Sequence, residues 1–380
     1  MRYIVSLLTL VALIFASRGE ASACTSAVVS AQRSSEGVPL LWKHRDSQYW
    51  NTSVAYIAEE GAYAYTAIVY NTEEQYRNTA FAGINERGFG IISTSSRYLP
   101  RTSEEEYPKD REWIPDNGPK FTARALRECA SVEAFECMLQ QKMRKRGFTG
   151  NYAVADGSGA VAYFEIWDVD YRRYNTSERE EGFDVRSNFS WAGDPKKMGR
   201  SKRRYDIVMQ EMGEFEKSKK FSPHYLISLS RSYNSTKYGD ILYSDQPRLC
   251  QNHTVPRCSS VAAVVLICDS KEPRMLVMNG HPVAAVAVPV YVRAKEDIPQ
   301  CVHGSEMVNL GQLFCAKAYS QIEKKRYLIN KKVISSVLRI ESPKIAIPQS
   351  MPKNIKTFNR KIDKQFSIYK NKVTKLLCNN

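Results

Sequence analysis

The chain has 380 residues, 43% hydrophobic, 11% aromatic and 25% charged, enough apolar content to bury a full core and too much for a disordered or collagen-like chain. Lysine and arginine number 55 against 40 aspartates and glutamates, a formal net charge of +15. Between Lys324 and Asn380 stand 15 basic and two acidic residues, so the rest of the chain is near neutral. A nucleic-acid reader carries its cationic stripe on the folded body, and beyond the N-terminus no apolar stretch is long enough to stop transfer through a bilayer; both function classes are set aside.

Arg2 supplies a positive start, Ile4 to Ala16 is a run of 13 mostly apolar residues, and Ala21-Ser22-Ala23 has the small-residue pattern of a cleavage site. The segment 1–23 reads as a signal peptide, so the mature chain is expected to begin at Cys24 in a periplasmic or extracellular setting. Nine cysteines fit such a compartment: Cys24, Cys129, Cys137, Cys250, Cys258, Cys268, Cys301, Cys315 and Cys378. The odd count leaves at least one thiol without an intrachain partner, with Cys24 the candidate. Cys129/Cys137 and Cys250/Cys258 are the pairs closest in sequence, and the connectivity stays open. There is no pair of CxxC knuckles, no HExxH, no GxSxG and no Walker pattern, and the five histidines are scattered. Neither a metal nor a cofactor is expected.

A thiol attacks as the thiolate and needs a base close by. A newly exposed α-amino group titrates near neutral pH, so removal of the signal would create nucleophile and base on one residue. Lipid attachment at Cys24 is the competing reading. Lipoprotein signals usually carry Leu, Val or Ile where this chain has Ala21, and acylating the amine would remove the base.

After Cys24 the chain reads as a hairpin: Thr25 to Ala31, turn chemistry at Ser34-Ser35-Glu36-Gly37, then Val38 to Trp42. Centring the turn near residues 35 and 36 places Cys24 opposite residues 46 to 48, with Asp46 beside the thiol. Further strands are expected at Ala62 to Tyr70, Phe89 to Ser93, Tyr152 to Ala155 with Val161 to Ile166 around Asp156-Gly157-Ser158-Gly159, Ser259 to Cys268, Leu276 to Met278 and Val283 to Val292. Apolar spacing of three and four predicts helices over Thr122 to Met143 and, more weakly, Ser201 to Lys217. From Lys324 the composition changes: Pro343, Pro348 and Pro352 punctuate a linker-like middle between Lys-rich apolar stretches. Ile362 to Leu377 is expected to form a basic amphipathic helix that either docks on the body or lies on an anionic surface.

Cys24-Thr25-Ser26 followed by Lys43-His44-Arg45-Asp46 resembles the N-terminal nucleophile (Ntn) hydrolases of the choloylglycine hydrolase, penicillin V acylase and isopenicillin N acyltransferase group. Gly83-Ile84-Asn85-Glu86-Arg87-Gly88-Phe89-Gly90 is similar to that family's glycine-flanked Asn-Glu turn. Ser187-Asn188-Phe189 is similar to its strand bearing an oxyanion-hole Asn, and Arg203-Arg204-Tyr205 to the segment bearing its late active-site Arg. The resemblance spans roughly residues 24 to 320. It implies an α+β fold, a four-layer αββα sandwich with two stacked antiparallel sheets over residues 24–323, between the signal at 1–23 and a partly helical basic extension at 324–380. It also implies that Cys24 is the nucleophile, Asp46 the orienting carboxylate, Asn188 an amide donor to the oxyanion and Arg204 the late arginine, with Lys43, Arg45 and Ser95 binding substrate. Asn188-Phe189-Ser190 is also a formal glycosylation sequon.

Two positions depart from the bile-salt and penicillin branch: Lys43 stands where it usually has Arg, and Ser93-Thr94-Ser95-Ser96 offers only hydroxyls where it often places Asn or Tyr. The activity implied is an exported, cofactor-independent amidase or acylase that hydrolyses a linear amide C–N bond of a small N-acyl or peptide-like substrate through a thioester on Cys24. The alternatives are an acyltransferase of the same family, an N-terminal-Cys dipeptidase and a non-catalytic lipoprotein anchored at Cys24.

Overall fold

The computed structural model describes residues 24–72, 76, 78–96, 98–100, 117–141, 149–215, 219–245, 250–323 and 326–379. The expected signal at 1–23, the ends of the expected helices at Met143 and Lys217, and Lys324 lie outside them. In chain order the strands are β1 (Thr25–Val29), β2 (Leu40–Asp46), β3 (Thr52–Ile57), β4 (Tyr65–Tyr70), β5 (Ala82–Asn85), β6 (Gly90–Ser95), β7 (Gly150–Ala155), β8 (Val161–Ile166), β9 (Tyr171–Asn175), β10 (Phe183–Arg186), β11 (Asn234–Ser235), β12 (Gly239–Asp240), β13 (Ser260–Ile267), β14 (Arg274–Met278), β15 (Val288–Tyr291), β16 (Tyr319–Glu323) and β17 (Arg326–Ile329). The helices are α1 (Gly118–Glu128), α2 (Val132–Gln141), α3 (Gly199–Gly213), α4 (Pro223–Ser228), α5 (Gln300–His303), α6 (Glu306–Ala318), α7 (Lys331–Arg339) and α8 (Ile355–Cys378).

Two large antiparallel sheets dominate: six strands in the order β10-β1-β2-β13-β14-β15, and seven in sequence order from β3 to β9. Alternation along each strand assigns the layers. Ile92 of β6 and Ala153 of β7 join the core cluster that holds Val28, Leu41 and Val264 of the six-stranded sheet. Their neighbours Ile91 and Val154 pack with Phe121 and Leu126 of α1 and Phe135 of α2 on the other face. The outer side of the six-stranded sheet is covered by helices that contribute Leu226, Phe314 and Phe366 to the same core. The result is an αββα stack, the architecture implied by the resemblance. The sheets approach closely at Gly90, where a Cβ would lie 2.7 Å from Cys268 Sγ.

The structure departs from the sequence reading at several places. The helix expected from Thr122 to Met143 is two helices with a break after Glu128, because partners distant in sequence satisfy the backbone groups that the break exposes. Asn85 Nδ2 donates to Leu126 O at 2.9 Å and to Cys129 O at 2.8 Å, and Asp156 Oδ2 accepts Val132 N–H at 2.8 Å. The strand expected from Val283 to Val292 is ordered only as β15. Upstream, Arg231 claims the carbonyls of Pro282 and Ala285 at 2.9 and 2.6 Å, so they are not available to a ladder.

No disulfide forms among the described residues. Cys137 is exposed on α2 while Cys129 Sγ contacts Met138 Sδ at 3.9 Å, and Cys258 accepts a hydrogen bond on its carbonyl from Cys315 Sγ at 3.2 Å.

The C-terminal residues are part of the core. Val333, Ile334 and Val337 of α7 and Ile362, Phe366, Tyr369, Val373 and Leu377 of α8 are buried in it. The proline-punctuated segment between these helices is strapped down by Tyr291 Oη donating to Pro348 O at 2.9 Å and by His224 Nε2 lying 3.1 Å from Ile345 O. The outward face of α8 exposes Lys356, Arg360, Lys364, Lys372 and Lys375. Among the described residues no helix is long and apolar enough to cross a membrane.

Candidate active site

β1 and β2 pair with Thr25 opposite His44 and Ser26 opposite Lys43, a register that brings Cys24 into line with Arg45. The hairpin centre lies one residue earlier than the sequence suggested, because the connection holds a 3-10 turn at Ala31–Arg33 and Ser34 bridges to Phe221. Side chains alternate along β2, so Lys43 and Arg45 face the seven-stranded sheet while His44 and Asp46 face away from it. The expected register, with Cys24 opposite residues 46 to 48, is therefore corrected to Arg45, and the Asp46 carboxylate takes the other face of the sheet. It is the Asp46 carbonyl that lies near the sulfur, 4.0 Å from Cys24 Sγ.

On the sheet-facing side Lys43 Nζ donates to Phe81 O at 2.9 Å and to Ser93 O, and the Arg45 guanidinium lies 3.9 Å from the centroid of the Phe81 ring. Both are buried. Burial pushes the Lys43 ammonium down to about 8, opposed by the Cys24 sulfur and reinforced by Arg45. Cys24, Lys43, Arg45, Tyr70, Ser95 and Tyr152 line a cavity of about 300 Å³, so the nucleophile candidate and the three expected substrate-binding residues share one space.

On the opposite face, Asp46 Oδ1 lies 3.1 Å from His44 Nε2 and accepts from Ser260 Oγ at 2.6 Å, while Arg257 Nε approaches Oδ2 at 3.9 Å. Burial alone would raise this carboxyl; His44, Arg257 and Arg204 together outweigh it and hold the group below the usual carboxylate range. Asp46 is thus an anion held behind the strand that begins after Cys24.

Arg204, near the start of α3, joins the remaining expected residues. Its Nη1 donates to Cys24 O at 2.5 Å and to Thr25 Oγ1 at 2.8 Å, and its Nη2 to Asn188 Oδ1 at 2.8 Å. Asn188 Nδ2 donates to Ser95 O at 2.8 Å and Ser95 Oγ at 3.1 Å. Arg204 and Asn188 therefore tie the backbone of Cys24 to the end of β6 that walls the cavity.

The segment bearing Asn188 is itself fixed. Asn151 Nδ2 donates to Ser187 O and Phe189 O at 2.9 and 2.8 Å, and Glu165 accepts from Arg186 Nε and from the N–H groups of Trp191 and Ala192 at 2.7 to 2.9 Å. Sequence reasoning missed Asn151, Glu165, Arg257 and Ser260. None stands in a motif, and each reaches the site only through sheet stacking or pairing.

No family model matches this chain, and no curated protein matches it. Solved structures similar to it include a mutant of the conjugated bile acid hydrolase from Clostridium perfringens, 13% identical over 72% of this chain and 93% of that one with a TM-score of 0.45. Penicillin V acylase from Agrobacterium tumefaciens is 12% identical over 71% and 86%, with a TM-score of 0.41. The N-acylethanolamine-hydrolyzing acid amidase ortholog from Caenorhabditis elegans is 15% identical over 64% and 92%, with a TM-score of 0.41.

Proposed function

We propose that this chain is an exported amidase whose nucleophile is Cys24, acting on a linear amide C–N bond of an N-acyl substrate. The observation that carries the reading is a buried thiol at the head of a central strand, opening on a cavity of about 300 Å³ that Lys43 and Arg45 also line. Removal of residues 1–23 would free the α-amino group of Cys24. That amine takes the thiol proton, the thiolate attacks the amide carbon, and the proton passes to the departing nitrogen as the C–N bond breaks, leaving a thioester. Water, deprotonated by the same amine, then releases the acid.

Lys43 and Arg45 favour the thiolate by charge, and the Asp46 anion orients the freed ammonium. Asn188 serves the oxyanion by turning an amide hydrogen from Ser95 Oγ toward the cavity that Ser95 lines. A preorganised donor of this kind typically contributes about two to three powers of ten in rate. A lipid on Cys24 would have to displace the packing that leaves this residue 3% exposed, which disfavours the anchored alternative.

The test has two parts. Intact mass of the secreted protein should show a chain starting at an unmodified Cys24. Cys24→Ala should abolish turnover across a panel of N-acyl amino acids, penicillins, bile-salt conjugates and short peptides while keeping the parent's circular dichroism; turnover retained by Cys24→Ala removes the assignment.

A further inference from the structure

We propose that Cys258 and Cys315 are a redox-active dithiol, converted by thiol–disulfide exchange into a bond that joins the loop before β13 to α6. Its chemistry is independent of the role assigned to Cys24.

Contact between the two sulfurs comes first. Cys315 Sγ donates to Cys258 O at 3.2 Å, and the two thiols are hydrogen-bonded to each other. Closing sulfurs already in contact to the about 2.05 Å of an S–S bond asks for rotation about side-chain bonds, with both elements kept. Three other buried cysteines have different neighbours: Cys129 Sγ meets Met138 Sδ at 3.9 Å, the Cys268 thiol hydrogen-bonds the backbone of Gly90, and the Cys301 thiol hydrogen-bonds Asp363.

The two thiols are also unequal. Cys258 is half-buried and within reach of a reagent, whereas Cys315 is 7% exposed. The hydrogen bond from Cys315 holds the Cys258 thiol below its ordinary range against the opposing effect of burial. Burial, together with the same contact, pushes the Cys315 thiol up. A thiolate is the attacking species in exchange, so the half-exposed sulfur reacts first and the buried one resolves. The Cys258 thiolate attacks one sulfur of a low-molecular-weight disulfide, such as oxidised glutathione, and expels one glutathione thiolate. Cys315 then attacks Cys258 Sγ and expels the second glutathione. The protons lost by the two cysteines end on the two glutathione thiols; the chain is oxidised by two electrons and the reagent reduced by two.

Such a bond ties down the loop that supports Asp46. Arg257 Nε approaches Asp46 Oδ2 at 3.9 Å, Ser260 Oγ donates to Oδ1 at 2.6 Å, and Arg257 N–H donates to Ser260 Oγ at 2.9 Å. Cys258 stands between these residues in the chain. It is separated from Cys315 by 57 residues, and in the chain-entropy account a cross-link over so long a loop stabilises the fold by restricting the unfolded state.

Incubating the folded protein with oxidised glutathione tests the pair, with Cys24→Ala as background so that the thiol of the proposed active site takes no part. After quenching with N-ethylmaleimide, peptide mapping without reductant should find Cys258 joined to Cys315, while the exposed Cys137 and Cys378 keep glutathione adducts. Cys315→Ser should leave Cys258 as a stable glutathione adduct, and Cys258→Ser should leave Cys315 unmodified over the same time. The urea midpoint of the oxidised chain should exceed that of the reduced one, and the gain should vanish in both serine variants.

The proposal is overturned by a cross-link between Cys250 and Cys258 in place of the expected bond, by glutathione resting on Cys258 in the chain that keeps Cys315, or by a midpoint indifferent to the cross-link. If Cys315→Ser fails to fold, the map of the chain with both thiols and the Cys258→Ser variant still decide.

Discussion

Lys43→Met should change how stability depends on pH, by an amount that follows from burial. In the unfolded chain a lysine keeps its proton up to about pH 10.4; in the fold, burial of the ammonium between the sheets brings release down to about 8. Between those values the unfolded state binds more protons than the folded one, so stability rises with pH across the window and the full penalty for burying the charge is present below it. At about 1.4 kcal/mol per pH unit the penalty is about 3 kcal/mol. The hydrogen bonds to Phe81 O and Ser93 O are lost in the variant as well, so the absolute stabilities of the two proteins are not the readout.

Urea unfolding of parent and Lys43→Met should instead be followed from about pH 7 to about pH 10.5, the range that brackets the two proton releases. The difference between the curves cancels the titrating groups that do not interact with Lys43, and with Cys24→Ala as the common background of both proteins the parent should gain about 3 kcal/mol on the variant over that range. Turnover should move the other way in the chain that keeps Cys24, falling with a midpoint near 8 as the cation beside Cys24 is lost. Parallel stability curves would show that Lys43 is not held as a buried cation, and the argument for its role beside the thiolate would fail with it.

Two further predictions test the architecture that presents the site. Phe366→Ala removes a buried ring of α8 from the main core and should cost about 3 to 5 kcal/mol in the same global unfolding transition; an unchanged midpoint would mean that the C-terminal helix is dispensable to the fold. Gly90→Ala places a methyl 2.7 Å from Cys268 Sγ and should cost about 1 to 3 kcal/mol, recovered in large part by adding Cys268→Ala. Equal losses in the single and double variants would place the strain elsewhere.

What the sequence made legible is what depends on neighbours in the chain. Cys24 and the hairpin that follows it were legible in the residues themselves, whereas Lys43, Arg45 and Ser95 came from the resemblance, and the strand alternation explains why they share one cavity. Asp46 shows where such reasoning stops: its proximity to Cys24 was readable, but the face its carboxylate takes is fixed by the pleat, and the register by a 3-10 turn that answers to Phe221. The break after Glu128 was illegible for a related reason. Apolar spacing continues through Cys129 to Val132, and only Asn85 and Asp156, brought in by the seven-stranded sheet, make the interruption cheaper than a continuous helix.

The same logic explains why Arg257, Asn151 and Glu165 escaped notice. Each is a polar residue whose partners come from a strand or loop distant in sequence, so its burial is intelligible only after the sheets have stacked. Arg204 was found through a motif, yet its place is set by tertiary structure: one guanidinium holds Cys24 O, Thr25 Oγ1 and Asn188 Oδ1 together. That makes Arg204 a positioning residue for the backbone of the proposed nucleophile, and it separates the site into a rigid support behind Cys24 and a cationic, aromatic cavity in front of it. Chemistry at the thiol can then tolerate a varied cavity wall, such as the hydroxyl-rich Ser93 to Ser96, so long as the support behind it is kept.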